Sequence, residues 1–424
     1  MAQALTTRNE AAPSGFGSLR QSASRVLAEV QLPTRKDEAW RRTDMSSVFA
    51  ARPVRPPGLA AGASLEAWLS PDTAGRQMVF VDGVFDAALS DLSALPDAVY
   101  AGSLGELPGQ LSAQAHAKLA PLPETVSDKR TELGSHALAA LNHASLADVA
   151  VVHVGAAAAA GAPLQVLFLS TGPGMDCEGD NCSLEPAPTE LAVSHPNLLV
   201  WVEEGASLEL YQHYAGAGAY FANAITRVAL GEGASVRHVY VQEQGGAAAH
   251  VDSLCVSCAA NSAYSNQLVQ SGGRIARVNI DVSLDGGGAE ADLQGLALAT
   301  GRQLSDVHSR ITHAVPDCVS KQEQRNALAG GARVVFRGAV VVPRGADNTT
   351  ANQLCRSLLL SDSVRSPRPA PAPRRAPAPL APPRAPWTHP PPTTAAGSRR
   401  HRAVPRDRHR RRRLYPRRHR RRSR

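Results

Sequence analysis

Three groups of side chains in this 424-residue sequence have the types and spacing to do chemistry. His308, His313 and Cys318 fall within eleven residues, with Asp306 and Asp317 beside them, and imidazole nitrogen plus thiolate sulfur is a donor set that suits zinc or iron. The alternative for these three is packing or hydrogen bonding inside a core, since no fourth ligand accompanies them. Cys255 and Cys258 have CxxC spacing, but a zinc knuckle needs a second pair and none is present. In the strand-like run VDSLCVSC their odd separation sends the two thiols to opposite faces, so they read as buried small residues. Asp281, Asp285, Glu290 and Asp292 form an acidic group of the kind that solenoid lyases and hydrolases carry on one exposed face. No basic or aromatic sugar platform lies nearby in sequence. The chain contains no GxxxxGK[ST] phosphate loop, no GxSxG elbow and no HExxH helix, so any nucleotide chemistry must come from a partner.

The elements that would position these groups change character at residue 149. Residues 1–15 read as a disordered N-terminus, Ser-, Ala- and Arg-bearing like an organelle transit peptide but interrupted by Glu10. In FGSLRQSASRVLAEV (16–30), Leu19, Ala23, Val26, Leu27 and Val30 share one helical face, and Pro33 stops the helix. Asp82-Gly83 in MVFVDGVFD is a hairpin turn, and SHALAALNHASL (135–146) is a second helix. Residues 16–148 therefore read as a mixed, mostly helix-and-loop region. From 149 to 362 the chain is a succession of short β-rich runs separated by Gly, Asn and Asp, with no useful amphipathic helix up to Val342. EEGASLELY, GEGASVRHVY and DGGGAEADLQ align on Gly205, Gly233 and Gly288, which lie 28 and then 55 residues apart. A fixed period in strand-rich sequence predicts a solenoid, and a mainly β fold with a β-helix core explains it better than a sandwich. The helical N-terminal region, and the loop 171–190 with Cys177 and Cys182, would cap and decorate that core.

Charge and composition narrow the function classes. Aromatics make up 4% of the chain while Ala, Gly and Val abound, so the core is expected to be built of small and β-branched side chains. The net charge of +8 resides in residues 363–424, which hold 20 Arg and one acid, Asp407, and leave the preceding body at −11. That Pro- and Arg-rich segment has no aliphatic periodicity and is expected to be disordered. It reads either as a phosphate-binding tail with steep salt dependence, making the protein an Arg-tail nucleic-acid binder, or as a GC-rich gene read out of frame. Six scattered cysteines do not form a secreted disulfide framework, which points to a reducing compartment. No run of about 18 apolar residues is present to form a membrane-spanning helix.

Five blocks in order resemble one family. They begin with LPTRKDEAWRRTD (32–44), similar to an N-terminal "PTRK-E-WKYT" signature, and continue with LNHASLADVAVVHV (141–154). HPNLLVWVEEGASLELYQHY, YFANAITRVALGEGASVRHVYVQEQ, and the stretch from LDGGGAEADLQ to ANQLCRSLLLSD complete the set. Together, over roughly residues 16–362, they resemble SufD and, less closely, its paralogue SufB, of the Suf iron–sulfur cluster assembly machinery. The resemblance implies a right-handed parallel β-helix core, a helical N-terminal region, and a C-terminal helical domain that docks the SufC ATPase. It implies a scaffold rather than an enzyme, partnered by a SufB-like paralogue and a SufC-like ATPase. A transient cluster would form at the SufB–SufD interface and ATP would sit on SufC, in a plastid stroma or a bacterial cytoplasm, with no membrane contact and no cofactor held stably by this chain. The family's "ADDV-C-HGAT" element, which carries its cluster-site histidine, has no counterpart after Asp362. His389 in PWTHPPP is no replacement, so no cluster ligand is carried over.

Overall fold

Side chains suited to a core alternate with side chains suited to water along runs such as SLELYQHYAGA and SVRHVYVQ, and each of these two runs is preceded by a glycine with a left-handed backbone, Gly205 or Gly233. In the computed structural model, which describes residues 16–60, 62–123, 132–174 and 188–361, this pattern winds into a parallel β-helix. The leading elements are α1 (Gly17–Glu29), α2 (Ser46–Ala50), β1 (Arg52–Val54), β2 (Gln77–Val81), β3 (Val84–Phe85), β4 (Val99–Ser103), α3 (Gly109–Leu119) and α4 (His136–Ala144). The first coils follow as β5 (Ala150–Val154), β6 (Leu164–Thr171), β7 (Glu190–Ser194), β8 (Asn197–Val202), β9 (Ser207–Ala217) and β10 (Tyr220–Leu230). The later ones are β11 (Ser235–Gln242), β12 (Ala249–Cys258), β13 (Ala263–Gln270), β14 (Ile275–Leu284), β15 (Glu290–Ala299), β16 (Leu304–His313), β17 (Val319–Leu328), β18 (Arg333–Val341) and β19 (Thr350–Leu359).

The strands alternate between two sheets. One runs β18-β16-β14-β12-β10-β8-β5-β4 and the other β19-β17-β15-β13-β11-β9-β6-β2-β3. Ser207 pairs with Ser235 and Ser235 with Ala263, so these coils advance 28 residues, the spacing of the first aligned glycines, and the later steps, Ala263 to Glu290, Glu290 to Val319 and Val319 to Thr350, are 27, 29 and 31. One corner explains the period. Gly205, Gly233, Asn261, Gly288, Asp317 and Asn348 stand in a column, every one with φ between 55° and 76°. The N–H of every column residue but Asn348 reaches a carbonyl one coil on, as in Gly205 to Glu232 (2.8 Å), Gly233 to Ala260 (2.9 Å) and Asn261 to Gly287 (3.0 Å). Only Gly, Asn and Asp enter that region cheaply. Nothing stands in the way of a Cβ at Gly233, so Gly233→Ala isolates the backbone cost. It is expected to destabilise by about 1–2 kcal/mol in urea denaturation, with Asn261→Gly near neutral.

Inside the coils, Phe80, Phe168, Tyr214 and Tyr240 stack up the axis with ring centroids 5.2–5.4 Å apart. These four aromatics form one ladder among Val, Leu and Ala. The helix over 16–30 is α1, whose Leu19, Ala23 and Leu27 are buried, and the second helix is α4. Asp82-Gly83 turns β2 into β3, with Phe80 opposite Phe85. The N-terminal region contains more strand than its sequence pattern suggested: β2 joins β6 in parallel and β4 joins β5 antiparallel. These strands cover sheet edges that would otherwise present open N–H and C=O groups.

Candidate functional site

His308, His313 and Cys318 are not brought together. His308 and His313 are five residues apart on β16, and that odd separation turns them to opposite faces. His313 is buried with its Nε2 2.8 Å from the Ser320 hydroxyl, and Cys318 lies in the interior with its thiol 3.4 Å from the Gly286 carbonyl. Among the described residues no three His, Cys, Asp or Glu side chains are arranged to hold a metal ion. The acidic group is divided in the same way: Asp281 is on β14 in one sheet, whereas Glu290 and Asp292 are on β15 in the other. Asp281 is forked by Arg310, Asp285 accepts from Ser283, and Asp292 accepts from Gln294. Asp281, taken up by Arg310, is thus separated from Glu290 and Asp292, which share one face of β15. Of the CxxC pair, Cys258 is buried in the core and Cys255 is partly exposed on the outer face. Cys177, Cys182 and residues 363–424 lie outside the described residues.

His308 instead belongs to a hub that ties the N-terminal segment to the solenoid. Arg277 on β14 is fully buried and stacks 3.8 Å from the Trp40 ring centroid. Its guanidinium donates to the Ala39 carbonyl (2.6 Å), the Leu133 carbonyl (2.9 Å), Asn279 Oδ1 (2.9 Å) and Asp306 Oδ2 (3.1 Å). Thr43 donates to the same carboxylate, and His308 Nδ1 accepts from Arg277 at 3.1 Å. Burial by itself would raise the Asp306 carboxyl; His308 and Arg277 outweigh it and hold it down to about 2. The Trp40 indole N–H donates to the Gly134 carbonyl at 3.0 Å. The run EAWRRT is therefore anchored by Trp40 and Thr43 on residues contributed by two successive coils.

A second buried network lies inside the solenoid. Thr226 and Tyr214 donate to Asp252 Oδ2 (3.0 and 3.2 Å), and Gln212 donates to both hydroxyls at 2.8 Å. His238 Nε2 lies 2.9 Å from Gln212 Oε1 and its Nδ1 2.9 Å from the Tyr264 hydroxyl, a fit to the neutral ring with its proton on Nε2. His250 Nε2 pairs with the Tyr240 hydroxyl at 2.9 Å. Burial pushes Asp252 up to about 6 and pulls His238 and His250 down to about 3.

The last coil continues the polar interior of β17: Gln353 donates to Gln322 Oε1 at 2.9 Å and Asn326 donates to the Ser357 hydroxyl at 3.0 Å. β18 pairs with β16 and β19 with β17, and no described strand lies on the far side of either. Leu354, Leu358, Leu359 and Leu360 stand 40%, 60%, 44% and 61% exposed along that edge.

Residues 186–368 match the family model described as SUF system FeS cluster assembly, SufBD core domain, a span that begins just before β7 and includes both the hub residues of the solenoid and the terminal coil. A protein of Synechocystis named an iron-sulfur cluster assembly SufBD family protein is 29% identical over 362 residues, covering 82% of this chain and 74% of its own. Over its solenoid the chain is similar to the SufB/SufD family. Other similar proteins are ABCI7 of Arabidopsis thaliana, named chloroplastic, 28% identical over 368 residues (85% of this chain, 73% of that one), and the iron-sulfur cluster assembly protein SufD of Plasmodium berghei, 24% identical over 172 residues (40% and 13%).

Two features of the chain escape reading residue by residue: the Arg277 hub and the Asp252 network. A signal for the first was present. Arg277 and Asp306 are partners in register on adjacent strands, so carrying the repeat one coil forward from a lone basic residue finds its acid.

Proposed function

We propose that this chain is a SufB/SufD-family scaffold subunit in iron–sulfur cluster assembly that pairs through its terminal coil with a SufB-like paralogue. The observation that carries the reading is the open β18/β19 edge with its row of exposed leucines. A strand edge with free N–H and C=O groups beside aliphatic side chains is a template for another strand. The names of its relatives place them in cluster assembly, and their shared core reaches to this edge. The nascent cluster is cargo formed between the paired subunits, and ATP hydrolysis belongs to a SufC-like partner, so the chain positions and does not catalyse. A plastid stroma or bacterial cytoplasm suits it, given the chloroplastic and cyanobacterial relatives; among the described residues no helix is long and apolar enough to cross a membrane.

The test is co-expression with SufB-like and SufC-like proteins followed by co-purification. Leu358→Asp, at a position 60% exposed, is expected to leave the monomer folded and to weaken pairing by about 2 kcal/mol, tenfold or more in affinity. Undiminished co-purification of that variant would remove the edge from the interface, and no co-purification of the unaltered chain would remove the scaffold reading.

A further inference from the structure

The outer face of the sheet containing β8 to β18 carries an in-register column: Leu199, Arg227, Cys255, Asp281, Arg310 and Ala339. Beside it is a cleft of about 390 Å³ lined by Arg227, Cys255, Asp281, Ser257 and Ser283 from the sheet and by Lys118 from α3. Its charges do not balance. Asp281 is already forked by Arg310, which neutralises it. Arg227 is 8% exposed, and the single hydrogen bond recorded for its guanidinium is from Nη2 to the Pro121 carbonyl (2.8 Å). Its Nη1 is buried without a hydrogen-bond partner, and no carboxylate is within ion-pair distance among the described residues. The neighbouring titratable groups offer no counter-charge: burial, and then Arg227 itself, keep His143 on α4 neutral, and burial keeps the Cys255 thiol protonated. Lys118 adds a second cation, its ammonium 4.7 Å from the Trp201 ring centroid. A desolvated guanidinium without a counter-charge, on the wall of a cleft, is costly unless an anion completes it.

We propose that this cleft binds a small oxyanion, with the Arg227 guanidinium as the principal cation, Lys118 as the second, and the ligand seated over the Cys255 thiol. A planar guanidinium with a free N–H suits a phosphate, sulfate or carboxylate oxygen, and the serine hydroxyls on the cleft floor suit the remaining oxygens. β16 separates the cleft strands β10, β12 and β14 from the edge strand β18, and the site does not depend on pairing.

The experiment titrates the full chain with inorganic phosphate, sulfate, N-acetylglycine and N-acetylglycinamide by calorimetry, with chloride at matched ionic strength as the control. In parallel, mass spectrometry follows labelling of Cys255 by N-ethylmaleimide, with Cys355 as the internal reference. The expected result is saturable binding of an oxyanion that slows labelling of Cys255 several-fold and leaves Cys355 unchanged. Arg227→Gln should weaken binding about tenfold or more and abolish the protection. Lys118→Gln, a change on the rim of the cleft, should weaken it a few-fold and decides the matter where Arg227→Gln fails to fold. Binding of phosphate or sulfate identifies a free inorganic ion. Binding of N-acetylglycine but not of its amide identifies a carboxylate such as a chain terminus. Binding no stronger than chloride's, or binding and Cys255 protection that neither substitution alters, overturns the proposal.

Discussion

Replacing Arg277 by Met is expected to lower the free energy of unfolding by about 3–5 kcal/mol, the range for breaking a buried ion pair from one side. The size follows from what the substitution strands. Asp306 is fully buried and its carboxyl is held down to about 2, so it stays ionised, and without the guanidinium it keeps only Thr43 and His308. The carbonyls of Ala39 and Leu133 lose their donor as well, and Trp40 loses the cation against its face. Met roughly preserves the aliphatic volume, so the loss reports charge and hydrogen bonding and not a cavity. Two companion measurements separate the hub from general fragility. Arg277→Met with Asp306→Leu should recover much of the loss, because an apolar pair of similar volume replaces a buried ion pair at little cost. Cleavage by trypsin after Arg41 or Arg42 should accelerate in the single variant, since Trp40 and Thr43 on either side are what the hub grips. An Arg277→Met protein within 1 kcal/mol of the unaltered chain would show that the N-terminal segment is held by its apolar contacts alone.

How far the fold was legible follows from which residues carry each signal. Three glycines sufficed for the period of 28, because a left-handed corner every coil leaves few choices of residue. The same corner is filled by Asn261, Asp317 and Asn348 in the coils that seemed to lack it, and a search for glycine passes over them. Strands such as β17 escape a hydrophobic pattern because their interior positions are Ser320, Gln322, Gln324 and Asn326, paired to amides and hydroxyls on neighbouring strands. Parity along a strand was informative where it was applied. It separated Cys255 from Cys258, and applied to His308 and His313 it separates them too, as β16 does. The hub and the cleft were not legible by local reading, since each joins residues one coil apart or brings in α3 and the 32–44 segment. Such contacts become visible only when the sequence is written in coils.

The buried network around Asp252 makes stability depend on pH, with opposing contributions that can be separated. His238 and His250 fall from the ordinary value of 6.5 to about 3 on folding, because burial excludes the imidazolium. Their contribution is fully present above pH 6.5 and is lost progressively as pH falls toward 3. Asp252 moves the other way, its carboxyl raised by burial from 3.8 to about 6, so the folded state binds that proton more tightly than the unfolded chain. Its contribution is present below about pH 4 and is lost as pH rises through 6. At pH 5 the unfolded chain holds about two more protons on the histidines and the folded chain about one more on Asp252. The remaining difference of about one proton makes stability fall by roughly 1.5 kcal/mol per pH unit as the solution is acidified. Buried His143, His308 and His313, all lowered by burial, add to the same slope, so the decisive quantities are differences between variants. In urea denaturation near pH 5, His250→Gln should reduce the slope by about 1.3 kcal/mol per pH unit, and Asp252→Asn should increase it by about 1. Equal slopes in the three proteins would mean that these groups titrate alike in the folded and unfolded states, which is incompatible with a dry network. A slope that Asp252→Asn reduces would instead place the carboxylate, and not the imidazoles, as the group whose charge the fold favours.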